Sequence, residues 1–144
     1  MSNNSVKEGT LYLSSIKSLD EYSNLKYKYF MAKYIKDKTK RVLDKRGYEI
    51  FGNLAPSHDL VNTYLSLRKE GKWNKDTFDS MFRPRFEDEI KNCAELKRGL
   101  NYVYKMLKSG EDVALLCFCH DYSLCHRLII GEKFKELGFD VKLS

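Results

Sequence analysis

Along the chain, apolar positions change period several times, and each change predicts an element. The stretch "GTLYLSSI", from Gly9, is rich in residues that suit a pleated surface and predicts a first strand. "KYKYFMAKYI", from Lys26, fits a strand or a helix, and periodicity alone does not separate the two. "GYEIFGNLAPS", from Gly47, predicts a short strand ending in a turn punctuated by Gly52 and Pro56. From Ser57 the pattern becomes helical: Ser57 fits an N-cap, Asp59 the first turn, and Leu60, Val61, Tyr64 and Leu67 share one face before Gly71 ends the run. "WNKDTFDSMF" predicts a short helix that Arg83-Pro84 breaks. One long helix is expected from about Phe86 to Lys108, with Gly110 as its C′ residue. On it Ile90, Cys93, Leu96 or Lys97, Leu100, Val103 and Leu107 recur at helical spacing, which makes Cys93 a core residue.

"DVALLCFC" follows, a continuous apolar run of the kind that forms a strand covered on both faces. The loop "HDYSL" leads to a helix from about Cys125 to Leu137, and "FDVKL" reads as a last strand. Strands alternating with helices predict a single three-layer, Rossmann-like α/β domain over residues 1–144, with a mostly parallel sheet.

Composition supports that picture. A chain of 144 residues fits one domain and buries roughly two-thirds of its unfolded surface without needing a disulfide or a metal. Its 42% of hydrophobic residues exclude a disordered chain. No apolar run reaches the roughly 18 residues of a membrane span, so no membrane partner is expected. The opening "MSNNSVKEGT" lacks the apolar centre of a secretory signal. The expectation is a cytoplasmic protein whose four cysteines are thiols or ligands.

Charge adds a second theme. The formal net charge is +6, and the segment from Lys26 to Arg46 alone holds nine basic and two acidic residues, with Tyr27, Tyr29, Phe30 and Tyr34 among them. A basic face with aromatics suits a polyanion, either nucleic acid or a phosphorylated small molecule; the plain alternative is a solvated surface.

The densest chemistry lies in "LLCFCHDYSLCHRLII", Leu115 to Ile130, with three of the four cysteines and two of the three histidines. In an open α/β sheet the ligand crevice lies beyond the carboxyl ends of the strands, where the loop from His120 to Leu124 is expected. A helix starting near Cys125 points its free N–H groups and positive end there, Arg127 adds a planar cation, and His126 adds a proton carrier. Four chemistries compete. An anion or nucleotide-phosphate pocket would use the helix N-terminus, His126 and Arg127. A thiol nucleophile would be Cys125, beside His and Arg at a helix start. The phosphatase loop is excluded, because neither Cys117 nor Cys119 is followed by five residues and an Arg. Zinc could use Cys117, Cys119, Cys125 and either His120 or His126, but the spacing is not that of a standard finger or ribbon, so no resident metal or cofactor is expected. Lastly, Cys117 and Cys119 fit plain core residues.

The same stretch resembles the signature of the domain of unknown function 488 (DUF488) family, a Leu-Leu-Cys run, a loop with an Asp, and Cys-His-Arg opening a helix. Here those positions are Cys117, Asp121, Cys125, His126 and Arg127. "NLAPSHDL", Asn53 to Leu60, is similar to the family's Leu-Ala-Pro-Ser turn, and Trp73, Phe78 and Phe82 followed by Glu87 or Glu89 to its aromatic stretch. The resemblance spans roughly residues 48–137. Two departures stand out: "MAKYIKDKTKR" lacks the family's Trp-Pro segment, and Cys119 replaces a usually acidic residue. The resemblance implies a Rossmann-like fold and a pocket at Cys-His-Arg, without an established reaction; it suggests a link to nucleotide or nucleic-acid metabolism and to phage–host conflict.

The sequence therefore leads to a nucleotide-type ligand held by Arg127, His126 and Cys125. Ser14, Ser15, Cys117, Pro56 and Ser57 would complete the walls, and Tyr64 or Trp73 would stack on a base. Such a protein could capture the ligand, as a phage protein capturing a host immune signal would. It could also cleave the ligand, with Cys125, His126 or Asp121 in catalysis. The alternatives are a nucleic-acid binder using the Lys26–Arg46 face and a cysteine- or metal-dependent enzyme. A homo-oligomer is compatible with all three.

Overall fold

In the computed structural model, which describes residues 7–119 and 121–144, five strands form one sheet. They are β1 (Thr10–Ser15), β2 (Tyr27–Phe30), β3 (Glu49–Ile50), β4 (Val113–Cys117) and β5 (Asp140–Leu143). Their order is β3-β2-β4-β1-β5, and every pairing is parallel. The helices are α1 (Asp37–Lys45), α2 (His58–Lys69), the one-turn α3 (Lys75–Thr77), α4 (Arg83–Asn92), α5 (Ala94–Lys108) and α6 (His126–Glu136). The three-layer Rossmann-like α/β fold is thus the observed one.

β4 lies at the centre and all five of its residues are buried, as its apolar run requires. Alternation then builds two cores. Val113, Leu115 and Cys117 face the larger core with Leu60, Phe86, Val103, Ile129 and Ile130. Ala114 and Leu116 face a smaller core with Tyr22, Phe30, Leu43 and Tyr48. "KYKYFMAKYI" resolves into the short strand β2 and a loop. The basic segment 26–46 divides among β2, that loop and α1.

Helix boundaries depart from the expected ones in two places. The long helix is interrupted at Cys93, which is extended (φ −95°, ψ 113°), ending α4 and starting α5. The Asn92 side chain donates to both the carbonyl and the carboxylate of Asp88, a local bond that competes with helix continuation. Cys93 consequently lies exposed and is not a core residue. At Arg83-Pro84 no break occurs. A π turn over Phe78–Phe82 runs into α4, and Pro84 sits in its first turn, where a missing N–H is tolerated. Ser57 caps α2 by accepting from the Leu60 amide, and Gly71 and Gly110 take the positive φ values expected just past helix ends.

The topology also fixes where a ligand can sit. After β2 the chain moves outward to β3, and after β4 it crosses to β5 at the opposite edge. Neighbouring strands whose connections part in this way leave a crevice at their carboxyl ends.

Candidate functional site

A cavity of about 790 Å³ opens at that switch point. Met31 to Tyr34 after β2, Cys117 to Cys119 after β4, and one side of α2 line it. His58, Val61, Asn62, Leu65 and Arg68 fall at helical spacing along α2 and all reach the cavity. Leu60 is the one buried residue of α2, so this helix serves as a cavity wall more than as a core element.

The floor is made of soft groups. Cys117 ends β4 and Cys125 is the N-cap residue of α6; both are buried, and their Sγ atoms lie 3.2 Å apart. His126 Nδ1 is 3.6 Å from Cys125 Sγ. Its Nε2 is buried and has no hydrogen-bond partner among the described residues. The Phe86 ring packs edge-on against the imidazole at 5.6 Å. Burial pulls the His126 pKa down to about 4, so the ring is neutral at pH 7.

Arg127 lies beneath this floor, fully buried. Its Nη1 donates to Cys117 Sγ at 3.2 Å and to the Cys119 carbonyl at 2.7 Å, and its Nε donates to the Ser144 carbonyl at 3.2 Å. The guanidinium thus fixes the end of β4, the loop after it and the last strand together. A cation in contact with thiols favours a thiolate, and the one favoured is Cys119. Hydrogen bonds from Cys117 and Cys125, with Arg127 nearby, hold its pKa far below the usual thiol range. The bond to Cys119 pushes Cys117 up to about 11, and burial pushes Cys125 well up. Cys119 packs against the larger core, lines the cavity and is the least buried of the three. Tyr64 lies between Cys119 and the exposed Arg68, whose Nη1 donates to the Tyr64 hydroxyl at 3.0 Å.

Walls and rim differ from the floor. Tyr34, Tyr64, Trp73, Phe82 and Phe118 supply aromatic surface, while Lys33, His58 and Arg68 supply exposed cationic or titratable groups. Trp73 sits edge-on to Tyr64 at 4.7 Å and to Phe82 at 5.6 Å.

The structure brings Cys117, Asp121, Cys125, His126 and Pro56 to the cavity. Asp121 is exposed and accepts bonds from the Ser123 amide and hydroxyl, which lower its pKa. Arg127, Ser14, Ser15 and Ser57 are not among the lining residues. Ser14 bonds the Ser144 hydroxyl, Ser15 caps the following 3-10 turn, and Ser57 caps α2 while bonding Glu89. His120, one of the two histidines considered for zinc, lies outside the described residues. His58 and Arg68 were missed; their signal was the polar spacing along α2, which the apolar positions of the same helix concealed. Lys33 and Tyr34, expected on a separate basic face, line the same cavity.

A family model described as DUF488-N3a, the active DUF488-N3 subclade, matches residues 15–138. No curated protein matches the chain.

Proposed function

The chain belongs to the DUF488 family, and from the geometry of its cavity we propose that this member takes a nucleotide-type phosphorylated small molecule. The observation that carries the proposal is the cavity's division into an aromatic wall, a cationic rim and a thiol–imidazole floor. Its volume lies within the roughly 300–1,000 Å³ of small-molecule sites. A base or another flat ring would pack against Tyr34, Tyr64 or Trp73. Phosphate would meet Lys33 and Arg68, whose side chains are exposed, while Arg127 would act from below through Cys117 and the Cys119 carbonyl. Capture and cleavage both fit this arrangement. For cleavage, Cys119, which lines the cavity and is less buried than Cys125, is the better placed nucleophile.

Thermal shift of the wild type and Arg68→Ala tests the proposal. The panel comprises mononucleotides, cyclic dinucleotides, ADP-ribose derivatives and a short single-stranded oligonucleotide. A ligand at a hundred times its Kd stabilises the fold by about 2.7 kcal/mol. The expected result is a shift with one small phosphorylated molecule that Arg68→Ala abolishes; recovering that molecule intact would mean capture. A shift with the oligonucleotide alone, unchanged in the variant, would move function to the basic segment and end the proposal.

A further inference from the structure

We propose that Cys117, Cys125 and His126 bind one thiophilic divalent cation, zinc above all, with the remaining coordination position turned to the cavity beside Cys119. The three donor atoms all lie within 4.8 Å of one another, and they come from elements the fold holds firmly: the end of a central strand and the start of a helix. Tetrahedral zinc, with Zn–S of about 2.3 Å and Zn–N of about 2.0 Å, sets ligand atoms about 3.5 to 3.8 Å apart. The measured separations are 3.2 Å between the thiols and 3.6 Å from Cys125 Sγ to Nδ1. An ion entering the group needs only a small opening of the sulfur pair.

The donors have the right chemistry. Two sulfurs and an imidazole select zinc over hard cations such as magnesium or calcium. Three protein donors with one open position is the pattern of zinc sites that act on a ligand, whereas structural sites close all four positions. Here the open side faces the 790 Å³ cavity, because all three donors line it.

The imidazole fits the group through Nδ1, which lies 3.6 Å from Cys125 Sγ and has no bonding partner other than that thiol among the described residues. Charge agrees as well. Two thiolates balance a divalent ion, and the Arg127 guanidinium lies 3.2 Å from one of them, Cys117 Sγ. Arg127 would orient a ligating sulfur in the way that hydrogen-bond partners beyond the ligands do in metal sites.

The site stands apart from the nucleotide proposal, because metal content is measured without any nucleotide. Reduced wild-type protein is analysed for zinc as isolated, stripped with a chelator, and titrated with Co²⁺. The expected result is one equivalent of metal per chain and an intense sulfur-to-cobalt charge-transfer band. Cys93→Ala should retain both, since Cys93 is exposed and outside the cluster. Cys117→Ser combined with Cys125→Ser should abolish the band wherever that variant folds. Folded, reduced wild type that takes up no Co²⁺ would overturn the proposal. So would a folded double variant that keeps the band, or protein isolated with Cys117 and Cys125 as a disulfide and no metal.

Discussion

Nine cations lie between Lys26 and Arg46, and three thiols lie between Cys117 and Cys125. The fold disperses one and gathers the other. Lys28 donates to the Arg46 carbonyl and lies over the Tyr48 ring, Arg46 pairs with Asp20 at 2.7 Å, Lys33 turns to the cavity, and Lys36, Lys38 and Lys40 stand exposed around α1. The thiols, in contrast, come from a strand end and the loop after it, and they close on one another. A strand that stops at a buried residue and a helix whose N-cap residue comes eight residues later bring their ends together. A charged stretch that passes through strand, loop and helix has no such constraint. Density in sequence becomes a site only where the backbone returns on itself.

The largest expected effect tests how much the gathered region depends on its buried cation. Arg127→Ala removes bonds to Cys117, Cys119 and Ser144 at once, leaves the Cys117 thiol buried, and empties the space of a fully buried side chain. Losing hydrogen bonds to a charged group together with the packing of a large buried side chain destabilises by about 3–5 kcal/mol. Urea denaturation should show a loss of that size. A loss below about 1 kcal/mol would mean that the cluster holds itself together without the guanidinium.

An intermediate effect belongs to the small core beneath the basic segment. Tyr48 is buried there, its hydroxyl donating to the Leu19 carbonyl at 2.8 Å. Burial, then the charges of Tyr22 and Asp20, raise its pKa from 10.0 to about 12. The folded state therefore holds this proton more tightly than the unfolded state. The associated stability is complete below pH 10 and is lost as pH rises towards 12, an effect on the order of 2 kcal/mol. Stability measured against pH across that window should fall less steeply in Tyr48→Phe than in the wild type. Equal slopes would mean that Tyr48 does not carry the alkaline loss.

Much of this was legible in the sequence, for reasons that differ by element. The apolar run of β4, the Ser57 cap and the Cys125 helix start are local signals, and each was read correctly to within a residue or two. The interruption at Cys93 was not legible, because helical spacing of Ile90, Leu96, Leu100 and Val103 continues across it, while the local bond from Asn92 to Asp88 competes with that spacing. The inward turn of Arg127 was hidden too. A cation beside a helix N-terminus suits an anion pocket, and the sequence does not show that the end of β4 and Ser144 supply its acceptors. The role of α2 was misjudged because its apolar residues draw attention away from His58, Asn62 and Arg68.

The smallest expected effect bears on the dispersed region. Lys36, Lys38 and Lys40 are exposed, and the first two lie at the N-terminus of α1, where negative charge interacts favourably with the helix dipole. Reversing all three to Glu should change stability by no more than about 0.5 kcal/mol per site, and a slight gain is the expected sign. None of the three lines the cavity, so the shift produced by a small nucleotide should also survive the reversal. Oligonucleotide binding by this face would be purely electrostatic: it would fall steeply with salt in the wild type and vanish in the triple variant. If the small-ligand shift were lost instead, the lysines around α1 would act on the pocket together with Lys33, and the contrast between a dispersed and a gathered region would fail at its weaker end.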